Sequence, residues 1–149
     1  MSLFLAIATA VGSAAVGGVY LAFSVMVMPA FRRLPAGEAT TAMLEINQRA
    51  ERGGFIPFFG ATLVLAVILA GTAIFELPST TAVLYLVGGT LSFLSALVTV
   101  VANVPLNNRL VRDGVSFWNQ YAARWTRLNT LRALLALGAV GVIASASGV

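Results

Sequence analysis

The sequence predicts an all-α fold: a four-transmembrane-helix bundle with a short amphipathic helix between spans 1 and 2 and an aromatic-rich helical connection between spans 3 and 4. Three observations carry this. Of 149 residues, 59% are hydrophobic and 9% charged, against about 25% charged in a soluble domain that must cover its own surface. Four stretches each supply the roughly 20 apolar residues that a helix needs to cross a bilayer. The arginines are segregated, four between the first two stretches and four between the last two, with none in the middle connection or at either terminus.

The length allows one integral membrane domain, residues 1–149. Its first span covers about 3–28, and Pro29 closes it. The absence of a basic leader before this stretch argues for a retained span rather than a cleaved signal. Ala6, Ala10, Ala14, Gly18 and Ala22 recur every four residues as a small-residue stripe of the kind that lets helices approach closely in lipid. Helix packing within the chain is the expected use, and a homo-oligomer contact is the alternative. A neighbouring face carries Ser13, Gly17, Tyr20, Ser24 and Met28 and suits a cavity wall, although serine can also bond its own helix carbonyls.

The first connection, within "PAGEATTAMLEINQRAER", places Ala39, Met43, Ile46 and Ala50 at helical spacing. Glu45 and Arg49 stand at a pairing distance in sequence, and Asn47 is the polar residue there that can point inward. The second span covers about 55–75 and ends at Glu76-Leu77-Pro78. The third covers about 82–104.

That third span ends in "ANVPLNNR", three asparagines and a proline after a long apolar run. A helix continuing past Pro105 would stack Asn103 and Asn107, and Pro105 itself frees a carbonyl. Two readings stay open here. The carboxamides hold a polar ligand, or they cap the helix and bond across to its neighbours.

In "SFWNQYAARWTRLNTLR", Trp118, Tyr121, Trp125, Asn129 and Arg132 share one helix face. Aromatic residues at a membrane interface account for Trp118 and Tyr121. Arg132 is different, because the stripe carries it into the fourth span, about 128–146. It either faces a polar cavity or snorkels to the interface.

The positive-inside rule then orients the chain. Connections 29–55 and 105–128 are expected on the cytoplasmic side of a plasma (inner) membrane, with both termini opposite. The inventory excludes much chemistry. The chain has no cysteine and no histidine, which removes thiolate sites, His-ligated haem and the usual general base. No metal site and no cofactor are expected. All nine basic residues are arginine, so lysine Schiff-base chemistry is excluded. No block of like charge marks a nucleic-acid surface.

The runs "FSVMVMPAFRRLPAGEATTAMLEINQRA", "NVPLNNRL" and "WNQYAARWTRLNTLR" resemble the anthrone-oxygenase-like family of small four-helix membrane proteins, largely labelled a domain of unknown function. The resemblance implies a four-span bundle and oxidation of anthrones to anthraquinones with molecular oxygen as co-substrate, without metal or flavin. It maps the family's motif onto Met28-Pro29, Met43 to Asn47, Asn103 to Asn107, Trp125, Asn129 and Arg132. The chain departs at Thr130, where many members carry a histidine that could act as base.

An anthrone ionises readily to an aromatic enolate that can itself reduce oxygen, so a protein need only bind it, favour the anion and exclude water. The expected site pairs Arg132, Asn103 and Asn107 as catalytic groups stabilising the oxyanion. Trp125, Asn129, Tyr121, Tyr20, Ser24 and Asn47 bind a lipophilic aromatic molecule taken from the bilayer. Glu45 is the expected carboxylate nearest the motif. A non-catalytic membrane protein that binds a lipophilic molecule or supports an assembly is the alternative function.

Overall fold

A computed structural model describes residues 3–147. It is all-α among those residues. Helix α1 (Leu3–Ala22) passes through a π turn (Phe23–Val27) into α2 (Met28–Phe31); α3 (Ala36–Arg52) and α4 (Phe55–Ile74) follow. Helix α5 (Thr80–Val98) passes through a second π turn (Thr99–Asn103) into α6 (Val104–Asp113). A 3₁₀ turn (Gly114–Phe117) then leads into α7 (Trp118–Ser147).

Among the described residues, three stretches are long and apolar enough to cross a membrane, Leu3–Phe31, Phe55–Ile74 and the helical run Thr80–Ser147. They mark an integral membrane protein. The last run is a hairpin rather than a rod. Gly114 turns it at φ 59°, a conformation that a side chain disfavours. Its arms then lie antiparallel, with Gly88 against Ile143, Ser95 against Arg132 and Asn103 against Trp125.

The four long helices α1, α4, α5 and α7 pack in a ring, each against two neighbours. At one end, the Ala6, Leu69, Ala73, Tyr85 and Ile143 core brings backbones into near contact. A Cβ added at Gly89 would lie 2.8 Å from the Ala66 carbonyl oxygen, and one at Gly12 would lie 2.6 Å from Thr62 Oγ1. At the other end, Met28, Met43, Tyr121 and Trp125 form a bulkier core with α3 laid across it.

Several sequence expectations are corrected. Pro29 does not close the first helix, nor does Pro105 weaken the third into an end. Each is preceded by a π turn in which the next N–H reaches five residues back, Met28 to the Phe23 carbonyl and Val104 to the Thr99 carbonyl. The extra residue absorbs the register change that a proline without an N–H demands.

The Ala6 to Ala22 stripe is not the packing face. Steps of four drift about 40° each around a helix of 3.6 residues per turn, so Ala6 is buried while Gly18 is exposed. The buried face is instead the one carrying Ser13, Gly17 and Tyr20. Trp118 and Tyr121 are not an interfacial belt but lie inside the protein core. Helix α3 is a full 17 residues. Glu45 and Arg49 do not pair, whereas Arg109 and Asp113 do, at 2.8 Å.

Candidate functional site

The wide end of the bundle contains a pocket between α1, α3, the start of α4, the second π turn, α6 and α7. Its volume is about 130 Å³, below the range of about 300–1,000 Å³ typical of small-molecule sites. Most of the lining is apolar, including Phe23, Met43, Ile46 and Phe55. The rim carries the exposed apolar residues Val19, Ile56 and Val104, together with exposed Glu51.

Arg132 lines the inner wall and is 6% exposed. Its guanidinium donates from Nε (3.1 Å) and Nη2 (2.8 Å) to Asn129 Oδ1, and from Nη1 to Thr99 Oγ1 at 3.2 Å. It is held over the Tyr20 ring at 3.9 Å and the Trp125 ring at 5.2 Å. Among the described residues no carboxylate pairs with it. A guanidinium has five N–H donors, so three of them engaged leaves two for a ligand.

The network behind Arg132 fixes its orientation. Asn129, fully buried, spends its oxygen on Arg132 and its amide hydrogens on the Tyr20 carbonyl (2.6 Å) and Ser24 Oγ (2.7 Å). Reversing that amide would set its NH₂ against the guanidinium, so the network selects one orientation. Thr99 Oγ1 donates to the Ser95 carbonyl, which leaves it to accept from the Tyr20 hydroxyl at 3.2 Å. Ser95 in turn donates to the Arg132 carbonyl at 2.8 Å. Thr130 bonds Ser24 Oγ and the Thr126 carbonyl. It is not in the pocket lining.

Among the described residues, three buried polar side-chain atoms have no hydrogen-bond partner: Asn47 Nδ2, Trp125 Nε1 and Asn103 Oδ1. The first two belong to residues that line the pocket. Buried polar groups are nearly always paired, so these two donors are unsatisfied, and neither nitrogen is open to the pocket space. The Asn47 side chain also lies close enough to the Tyr121 phenol to favour its anion, without a hydrogen bond of good geometry. Burial dominates at Tyr121 and pushes its pKa up, so this hydroxyl stays protonated and donates to Asn107 Oδ1 at 2.9 Å.

Five of the nine residues singled out from sequence line the pocket: Arg132, Asn107, Trp125, Tyr20 and Asn47. The other four stand behind it. Asn129 and Ser24 hold Arg132 and the π turn, Tyr121 holds Asn107, and Asn103 makes a long 3.4 Å bond to the Trp125 carbonyl. Asn103 and Arg132 therefore do not converge on one point as spacing alone implied. Sequence reasoning missed Thr99 and Glu51. Thr99 opens the second π turn, so helical steps of four back from Asn103 do not place it on the pocket face. Among the described residues Glu51 is the carboxylate in the lining, while Glu45 lines an adjoining outer groove that shares Asn47, Glu51 and Asn107 with the pocket.

Fold and site together define a helical membrane bundle with a mostly apolar pocket that has one buried guanidinium in its wall. The family model for anthrone oxygenase matches residues 50–142, more than half of the chain, and the chain belongs to that family. Of the three sequence runs above, the first lies almost wholly upstream of the matched range. Neither a curated protein nor a solved structure matches the chain.

Proposed function

We propose that this protein is a membrane oxygenase that converts a lipophilic anthrone or related polycyclic phenol to its quinone with molecular oxygen and no cofactor. The observation that carries this reading is Arg132, a buried guanidinium with no carboxylate partner among the described residues, facing an apolar pocket. An unpaired charge in a membrane helix is costly, about 2.5–3.5 kcal/mol at a helix centre on insertion scales. A substrate oxyanion would offset that cost.

The chain crosses the membrane four times in this reading, with α5 and the apolar part of α7 as separate spans. Connections 29–55 and 105–128 lie on the cytoplasmic side. The substrate partitions into lipid and enters sideways past Val19, Ile56 and Val104. Its ring system lies among Phe23, Phe55 and Trp125. Its oxygens accept from Arg132, and a small shift of the wall would add the buried, unpartnered Trp125 Nε1–H and Asn47 Nδ2.

The reaction balances as anthrone plus O₂ giving anthraquinone plus water. Glu51, at the mouth, takes the methylene proton, and Arg132 stabilises the enolate oxygen as charge moves onto it. The enolate passes one electron to O₂, and the resulting radical pair joins to form a carbon–oxygen bond. Protonation gives a hydroperoxide. Loss of the remaining hydrogen on that carbon, with cleavage of the O–O bond, releases water and leaves the ketone. The chain's lack of cysteine and histidine agrees with chemistry driven by the substrate anion.

The test uses purified protein, treated with chelator, given an anthrone with and without oxygen, and followed by quinone absorbance. Oxygen-dependent quinone formation well above the spontaneous rate, one O₂ consumed per quinone, is expected. Saturable binding with no excess quinone would leave a binding protein for lipophilic arenes.

A further inference from the structure

A second groove, on the outside of the hairpin between α6 and α7, has no part in this chemistry. Its walls carry Arg109, Arg112, Arg124 and Arg127, and its floor is Ala102, Pro105, Leu106 and Leu128. The two arginine pairs sit at i,i+3 on antiparallel helices, so all four guanidiniums face one open hollow of about 620 Å³.

The charge there is not balanced. Residues 105–128 hold four arginines and one acid, a net charge of +3. That acid, Asp113, is taken by Arg109 at 2.8 Å, and Arg109 also stacks over the Phe117 ring at 4.1 Å. Arg112, Arg124 and Arg127 have no carboxylate partner among the described residues.

The floor decides what occupies the groove. Soluble anions need no apolar surface, yet this floor runs on into Val101 and Leu131, 62% and 45% exposed. Guanidiniums over a hydrocarbon ledge match a phosphate carrying acyl chains, and the ledge lies where α5 and α7 leave their apolar stretches. Basic hollows between membrane helices on the cytoplasmic side bind anionic headgroups in this way.

We propose that this groove binds an anionic membrane phospholipid, its phosphodiester held by Arg112, Arg124 and Arg127 and its chains lying along Val101 and Leu131. The site rests on the chain's crossing a membrane and is independent of the oxygenase reading.

Native mass spectrometry of the detergent-purified protein tests it, with phosphatidylglycerol, phosphatidylcholine or inorganic phosphate added. Phosphatidylglycerol should be retained at least about tenfold better than phosphatidylcholine, since each neutralised arginine counts severalfold. Arg112→Gln/Arg124→Gln/Arg127→Gln should abolish that preference while leaving the thermal melt in place, because these side chains are exposed. The control Arg32→Gln/Arg33→Gln, which removes charge elsewhere, should keep it. Equal retention of the two lipids, an unchanged preference in the triple variant, loss of preference in the control, or phosphate binding as tightly as the anionic lipid would each overturn the proposal.

Discussion

The two ends of this bundle are built from the same four helices and obey opposite rules. At the closed end, small residues bring backbones together, and the polar groups there satisfy one another. Ser13 and Ser92 share a hydrogen bond of 2.8 Å, and Tyr85 and Ser147 one of 3.0 Å. The open end has two π turns and a row of large rings, and three buried polar atoms among the described residues are left without partners there. Loose packing does not explain the difference, since Arg132, Asn129 and Thr99 are tied as tightly as anything at the closed end. The hollow is a built feature. It leaves part of the Arg132 guanidinium unengaged and buries its supports.

That contrast can be broken or sharpened by substitution. The largest effect is expected from Arg132→Ala, which should lower kcat/KM for anthrone oxidation by about 10²–10³, the usual loss on removing an oxyanion donor. Arg132→Lys keeps the charge but not the planar fork and should recover only part of the activity. If both variants turn over normally, the guanidinium is structural. Next comes Glu51→Gln. It should cut kcat by about 10², in the lower part of the range for a general base, with activity regained as pH rises and hydroxide takes over. An unaltered rate and pH profile would put the proton elsewhere.

At the closed end the expected loss is in stability. Gly89→Val drives a side chain against the Ala66 carbonyl and Ala70 and should cost about 1–3 kcal/mol, typical of overpacking. The variant should melt earlier in detergent, while its folded fraction oxidises substrate normally. The smallest effect belongs to Trp125→Phe. It removes a buried unpaired N–H and keeps an aromatic ring, so stability should hold or rise slightly. Substrate binding should weaken by about 1 kcal/mol, the net worth of one hydrogen bond. A matching fall in stability would mean that Trp125 serves packing alone.

Much of this architecture was legible in the sequence because lipid imposes simple rules. The apolar stretches, the arginine segregation and the stripe from Trp118 to Arg132 needed only helical spacing, and α7 is a regular helix across that whole stripe. The π turns were not legible. One inserted residue shifts everything beyond it by about 100° around the axis, so faces read across Phe23–Val27 or Thr99–Asn103 at fixed steps fall out of phase. This is why Asn103 and Asn107 looked equivalent, yet one lies behind the wall and the other on it. Glu51 was hidden for a different reason. It stands four residues after Asn47 and eight after Met43 on the same face of α3, but spacing within α3 does not say that this face meets Arg132.

The most direct test of the central idea, a buried cation awaiting an oxyanion, needs no turnover at all. Under nitrogen at neutral pH, an anthrone bound to the purified protein should display the absorption band of its enolate, and Arg132→Gln should bind the same molecule in its neutral form. A neutral spectrum in both proteins, with binding intact, would contradict the account.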